Sequence, residues 1–164
     1  MWNEQIIMML LEGIKDTLYM TLTSTLIGYV IGLPMGILLT VTDKDGIHPN
    51  TAVYKVLDVI ANLIRSVPFL ILLIVLIPFT RFLIGRSYGP TATIVPLVIA
   101  AAPYIARMVE SSLKEVDAGV IEAARSMGAS NFTIVTKVML VEARTSLIVG
   151  AVSYTHLRAH ETKA

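Results

Sequence analysis

Three long stretches of the chain are apolar and nearly free of charge. Residues 17–42 contain no charged side chain and lie between Asp16 and Asp43, and residues 87–106 form a second uncharged run. Residues 59–80 form a third apolar run, which contains one charge. A helix needs about 20 mostly apolar residues to cross the roughly 30 Å of hydrocarbon in a bilayer. The pattern therefore predicts three membrane-spanning helices over these ranges.

The segments outside these ranges predict the rest of the organisation. Residues 1–16 include Trp2 and apolar side chains at near-helical spacing, which favours a short external interfacial helix, with a frayed terminus as the alternative. Residues 107–144 are helical in pattern but too charged to cross lipid. Residues 145–152 begin a fourth apolar run that is too short to span. Residues 153–164 read like adapter or vector sequence, so we expect a truncated reading frame.

The distribution of Lys and Arg between the two sides of the membrane predicts the orientation of the helices. Basic residues are enriched in cytoplasmic loops. Seven of them fall on one side of the predicted spans and three on the other, so the first side is predicted to be cytoplasmic and the N-terminus external. The seven are Lys44, Lys55, Arg107, Lys114, Arg125, Lys137 and Arg144, and the three are Lys15, Arg81 and Arg86.

Composition agrees with a chain in contact with a lipid bilayer. Of 164 residues, 55% are hydrophobic and 15% are charged, and the mean hydropathy is +0.74. Soluble domains are about 45–50% apolar and about 25% charged. A net charge of +1 gives no field strong enough to hold a nucleic acid, so we expect no nucleic-acid partner. We predict an all-α fold, a polytopic membrane helix bundle.

Glycine, proline and one arginine mark candidate packing or gating positions inside the predicted spans. Gly28, Gly32 and Gly36 recur every four residues and line one helix face, which lets another backbone approach closely. Glycine is also common in membrane helices generally. Arg65 is the one charge inside a predicted span, and Pro68 follows it within one turn. Such a charge is a functional candidate, although Arg65 is near enough to the helix end to extend to the interface.

The chain carries no recognisable catalytic motif. It has no cysteine, no Gly-rich phosphate loop, no HExxH and no GxSxG, and the spans hold no residue set suited to an intramembrane enzyme. His156 and His160 have the spacing of a helical metal-ligand pair, but they lie in the vector-like tail. We therefore expect no enzymatic activity, no cofactor and no metal site.

Residues 120–143 read as a helix, a sharp turn and a second helix. Gly128 sits where the first helix would end, and Ser130 or Asn131 can cap the next one. Such a bend suits a short helix that docks into a groove on a soluble partner, while an amphipathic linker between two spans fits the same periodicity. The residues that characterise the bend are Glu122, Ala123, Ala124 and Gly128.

These four residues resemble the EAA loop of permease subunits in bacterial ATP-binding-cassette (ABC) importers. Val138 and Leu140 occupy the aliphatic positions of that loop, and Val141 stands where the family has proline. Three further stretches are similar to methionine-importer permeases, and the resemblance extends over about residues 1–149. These stretches are residues 65–69, 77–81 and 101–110.

The resemblance implies a type I importer permease domain over residues 17–152, with five spans in the intact protein and the start of the fourth here. It implies the translocating subunit of an ATP-driven amino-acid importer, most similar to those for D/L-methionine, in the bacterial inner membrane. The implied partners are a second permease copy, two copies of a cytosolic ABC subunit and an external substrate-binding protein. The alternative is a membrane scaffold or regulatory protein that binds a cytosolic partner through residues 107–144.

The resemblance also implies a role for each residue of the bend in coupling to the ATPase. Glu122 would make a polar contact with the ATPase, and Ala123 and Ala124 would allow close approach. Gly128 would permit the turn. The alternative for Glu122 is a solvated carboxylate stabilised by the dipole of its helix.

Overall fold

The computed structural model describes residues 4–149, and these residues form helices and turns without a β-strand. The all-α fold class predicted from the sequence is confirmed. In chain order the elements of this part are α1 (Glu4–Thr42), α2 (Thr51–Ser66), α3 (Phe69–Val75), α4 (Ile77–Ile84), α5 (Pro90–Lys114), α6 (Ala118–Ser126), α7 (Asn131–Thr133), a π-helix (Ile134–Met139) and α8 (Leu140–Glu142).

Helix α1 is 39 residues long and apolar enough to cross a membrane. The sequence predicts a separate interfacial helix before the first span, whereas the described residues 4–16 are the first turns of α1 itself. No proline precedes Pro34 in this helix, and a single interior glycine such as Gly13 costs only about 1 kcal/mol. Nothing therefore interrupts the backbone hydrogen bonds between the two predicted segments.

Helix α5 is the second helix long and apolar enough to span, with 25 residues. It begins at Pro90, whose missing N–H would have no partner in the first turn of a helix. It continues to Lys114, well beyond the predicted end of the span at residue 106. Hydropathy limits the part of a helix that lies in hydrocarbon, but backbone hydrogen bonding determines where the helix ends. Helix α5 therefore continues beyond its apolar part, through Arg107 and Glu110.

The predicted span over residues 59–80 is not one continuous helix. Helices α2 and α3 meet at an angle of 105°, which makes the pair either a broken span or a re-entrant loop. Pro68 precedes α3 with extended backbone angles (φ −54°, ψ 135°). Its ring also disfavours the helical conformation of the preceding Val67. The chain therefore leaves α2 at Ser66 and begins a new helix at Phe69.

The described residues divide into two compact units. The first unit contains residues 4–32 and 60–105, and the second contains residues 33–59 and 106–149. The core of the first unit includes Ala61, Leu72, Ile94, Val98, Ala102 and Ile105. The core of the second unit includes Leu39, Val109, Leu113, Ala124, Ile134 and Met139.

Much of the outer surface of α1 is apolar. Leu22, Leu26 and Val30 are more than half exposed, as are many other large aliphatic residues. An apolar surface of this extent is typical of a face that contacts lipid or another protein.

Candidate functional site

The bend, which consists of α6 and the turn at Gly128, is held by interactions that are typical of helix ends. The side chain of Asp117 accepts a hydrogen bond from the backbone N–H of Gly119 (2.7 Å) and so caps the start of α6. At the other end, Gly128 has φ +82°, a left-handed conformation that glycine adopts without steric cost. The N–H of Ala129 donates to Ala124 (3.1 Å) and that of Gly128 to Arg125 (3.0 Å), the pair of bonds typical of a Schellman turn.

The next helix begins immediately after this turn. Ser130 is the N-cap of α7, and its hydroxyl accepts from the N–H of Thr133 at 3.3 Å. Of the two capping residues that the sequence allows, Ser130 is therefore the one whose side chain caps the helix. Only Gly128, in the left-handed region, and Ala129 separate the C-cap Met127 from the N-cap Ser130, so the turn between α6 and α7 is short.

The four residues that characterise the bend differ in their exposure. Ala124 is buried in the core of the second unit, while Glu122, Ala123 and Gly128 are exposed. Large apolar side chains close to them along the chain are also exposed: Val120, Met127 and Phe132. The bend therefore presents small, apolar and acidic side chains to its surroundings, a combination suited to docking another protein.

A cavity of about 640 Å³ borders the bend inside the second unit. Glu122 and Arg125 of α6 line it, together with Asp43 and Asp45 of the loop that follows α1. The guanidinium of Arg125 donates to the backbone carbonyl of Ile47 in the same loop at 3.3 Å. The α1–α2 loop is thereby attached to α6.

A cluster of charged side chains lies in the same unit, and sequence reasoning did not identify it. We call it the ion cluster; it consists of Asp43, Asp58, Arg107, Glu110 and Lys114. Arg107 pairs with Asp58 of α2 and, at 2.7 Å, with Glu110. Lys114 pairs with Asp43 at 2.6 Å and with Glu110 at 2.9 Å. The cluster thus joins α5 to α2 and to the residue that follows α1.

Tyr54 of α2 completes the surroundings of the ion cluster. Its hydroxyl donates to Glu110 across 3.4 Å, and the Lys114 ammonium lies 5.9 Å from the centre of its ring. Glu110 is only 5% exposed, and a carboxylate so buried is stable only when it is paired. At the edge of the cluster, the hydrogen bond from the Lys114 ammonium holds the pKa of Asp43 below its ordinary value of 3.8.

The three glycines of α1 lie against α5. In the first unit, a Cβ on Gly28 would lie 3.2 Å from Ile105, and one on Gly32 would lie 2.7 Å from the Ala102 carbonyl oxygen. In the second unit, a Cβ on Gly36 would lie 2.5 Å from the carbonyl oxygen of Ala106. The last two positions leave no space for a side chain, and we infer that the missing side chains allow the close approach of the helices.

Arg65 and Pro68 belong to the first unit, apart from the EAA residues of the second. The Arg65 guanidinium lies 5.8 Å from the ring centre of Tyr104, within range of a cation–π interaction. Pro68 precedes the first residue of α3. No group of three or more His, Cys, Asp or Glu residues within residues 4–149 could hold a metal. His156, His160 and the rest of the vector-like tail lie outside the described residues.

The chain is similar to a family of membrane transport proteins over most of its length. Residues 7–155 match the family described as binding-protein-dependent transport system inner membrane component. The D-methionine transport system permease proteins MetI of Salmonella typhimurium and Escherichia coli are each 48% identical to this chain over 149 residues. Each match covers 91% of this chain and 69% of the relative.

Solved structures show the same relationship. The inward-facing MetNI methionine ABC transporter superposes with a TM-score of 0.88 at 48% identity, covering 92% of this chain and 69% of that one. An amino acid ABC transporter solved with histidines gives a TM-score of 0.56 at 26% identity, over 90% of this chain and 68% of the other. These matches confirm the resemblance drawn from the EAA residues, and they give no support to a scaffold or regulatory protein.

Proposed function

Because the chain belongs to the family of binding-protein-dependent transport system inner membrane components, we propose that it is the translocating transmembrane subunit of an ATP-driven methionine importer. The substrate, D- or L-methionine, is supported by the names of relatives that are 48% identical. The chain is not an enzyme, and a separate subunit hydrolyses ATP. The observation that carries the proposal is the exposed bend of α6 and Gly128, which bears the EAA residues.

The partners follow from the kind of complex that this subunit forms. A second permease copy completes the translocation pathway, and two cytosolic ABC subunits supply the ATPase activity. An external substrate-binding protein delivers the amino acid. The similar MetNI transporter supports an assembly with an ATP-binding subunit. The large apolar surface of α1 fits a chain that is surrounded by lipid and by other permease helices.

The proposed mechanism converts movement of the ATPase into alternating access. The bend docks into a groove of the ABC subunit, with Glu122 in polar contact and the exposed Ala123 allowing close approach. Ala124, which the resemblance also assigned to close approach, is buried and instead packs α6 into the core of its own unit. Gly128 holds the turn that presents α6. When the ATPase subunits close, α6 is displaced, and the helices connected to it rotate between inward-open and outward-open arrangements. Gly28, Gly32 and Gly36 keep α1 in contact with α5 during this movement, and Arg65 and Pro68 lie at the break between α2 and α3, the proposed gating region.

The proposed topology places the permease domain over residues 17–152 of a multi-pass protein of the bacterial inner membrane. The N-terminus is external and residues 107–144 are cytoplasmic. The excess of basic residues on the side of residues 107–144, seven against three on the other side, supports this orientation. Alkaline phosphatase and green fluorescent protein fusions at Gly128 test it: the fluorescent fusion is expected to be active and the phosphatase inactive. The reverse result would contradict the coupling mechanism.

Capture of the ATPase tests the function itself. The tagged permease, extracted in mild detergent, is expected to retain an ABC subunit. Glu122→Arg and Gly128→Pro should lose it, because the first reverses the charge that meets the partner and the second destroys the turn. Glu4→Arg is a matched charge reversal at an exposed position of α1 in the other unit and should retain the subunit. Undiminished capture by both bend variants would exclude the proposed docking role.

A further inference from the structure

The ion cluster lies in the same unit as the bend and is connected to it through α5. Arg107, Glu110 and Lys114 are spaced three and four residues apart on α5, so their side chains share one face of that helix. Helix α5 ends at Lys114 and α6 begins at Ala118, so three residues separate them. A displacement of α6 therefore acts first on the end of α5 that carries the cluster.

The two cations of the cluster each connect α5 to a different part of the chain. Arg107 pairs with Asp58 of α2, and Lys114 pairs with Asp43, which directly follows α1. Glu110 lies between them, at 2.7 Å from a guanidinium nitrogen and 2.9 Å from the ammonium. Glu110 contacts both cations, so it restrains the two side chains that reach to α2 and to the end of α1.

We propose that Glu110 is a positioning residue for coupling, which holds Arg107 and Lys114 in the geometry that makes the ends of α1 and α2 move together with α5 and α6. The inference rests on the proposed transport function. Asp43 and Asp58 alone leave each cation with one partly exposed partner, whose side chain is 21% exposed for Asp43 and 32% for Asp58, and ion pairs that water reaches hold their partners only weakly. The buried carboxylate keeps both pairs in one arrangement, so the displacement of α6 reaches three helices rather than one.

The test uses the intact permease assembled with its ATP-binding subunit in liposomes, with the binding protein and radiolabelled methionine. ATP hydrolysis and uptake are measured on the same vesicles. We expect Glu110→Gln to lower methionine transported per ATP hydrolysed by about fivefold or more, the lower end of typical coupling effects. Hydrolysis stimulated by the binding protein should persist, because the docking bend is unchanged.

A matched control removes the same charge nearby. Asp45 is exposed on the α1–α2 loop, two residues from Asp43, and has no ion-pair partner within residues 4–149. Asp45→Asn should leave the ratio of transport to hydrolysis unchanged.

At the other end of the cluster, Asp58→Asn should lower the ratio of transport to hydrolysis, as Glu110→Gln does. Asp58→Glu should restore most of that ratio, because the conservative variant keeps the charge that Arg107 requires.

Three results would overturn the inference. The first is an unchanged ratio for Glu110→Gln in an active complex. The second is a parallel loss of hydrolysis and uptake, which indicates a purely structural role. If Glu110→Gln does not assemble, equal ratios for Asp58→Asn and Asp58→Glu also exclude the inference. A wild-type complex that binds no ATPase or takes up no methionine would instead contradict the proposed function, and the inference with it.

Discussion

The close approach of α1 and α5 gives a graded prediction for alanine substitutions at four glycines of one helix. A Cβ at Gly36 would lie 2.5 Å from the Ala106 carbonyl oxygen and 2.6 Å from the Cβ of Val109, where ordinary contact begins at 3.4 Å. Neither neighbour is the flexible end of a side chain, so the helices themselves must separate. Overpacking of this kind costs about 1–3 kcal/mol.

The other glycines provide a series with increasing space. Gly32→Ala should cost a similar amount, because the Ala102 carbonyl oxygen lies at 2.7 Å. Gly28→Ala should cost less, since its nearest contact is the terminal methyl of Ile105 at 3.2 Å. Gly13 has nothing within 4 Å, so Gly13→Ala should be neutral or stabilising by up to about 1 kcal/mol, from the better helix propensity of alanine.

The assay is SDS-induced unfolding of the purified permease in mixed micelles, followed by circular dichroism at 222 nm. The free energy of unfolding of each variant is compared with that of the wild type under identical lipid and detergent conditions. We expect stability to fall in the order Gly13→Ala, Gly28→Ala, Gly32→Ala and Gly36→Ala, with the last two close together. Equal effects at all four positions would refute the argument from close approach and leave only a generic effect of glycine.

Three further predictions concern single residues. The pKa of Asp43 is lowered in the folded protein, so the stabilisation by its carboxylate is complete above the unfolded pKa near 3.8 and is lost as the pH falls through the native value. Asp43→Asn should therefore make the free energy of unfolding depend less on pH in measurements below pH 5. Gly128→Ala should destabilise by about 1–2 kcal/mol because of the left-handed φ, whereas Gly128→Asn should cost less, and equal melting temperatures would contradict this. Arg65→Gln should cost about 0.5–1 kcal/mol through the lost contact with Tyr104, while Arg65→Lys retains most of it in the same SDS titration.

The features that the sequence predicted well are those that depend on neighbours along the chain. The glycine spacing of four predicted a helix face open to close approach, and the structure places that face against α5. Gly128 and Ser130 predicted a helix end and a new helix start, and both residues have these positions. Such signals are readable because they depend on helical periodicity and on local φ and ψ preferences.

Helix boundaries were harder to predict from hydropathy. The apolar run over residues 59–80 suggested one span, but Pro68 interrupts it and the two helices meet at 105°. A proline indicates where a helix breaks, while packing determines the angle at the break. In the opposite direction, α5 continues to Lys114 past the end of its apolar run, because charged side chains are compatible with helical hydrogen bonding.

The sequence by itself determined that the chain is helical, that much of it is apolar enough to face lipid, and that it carries the EAA bend. These properties follow from composition, periodicity and a local motif. The tertiary structure alone revealed the ion cluster, since Asp58 and Arg107 are 49 residues apart and nothing near either one identifies its partner. Such pairs form only when helices pack at a particular distance and register, and that arrangement is set by the close approach of helices rather than by the charges themselves.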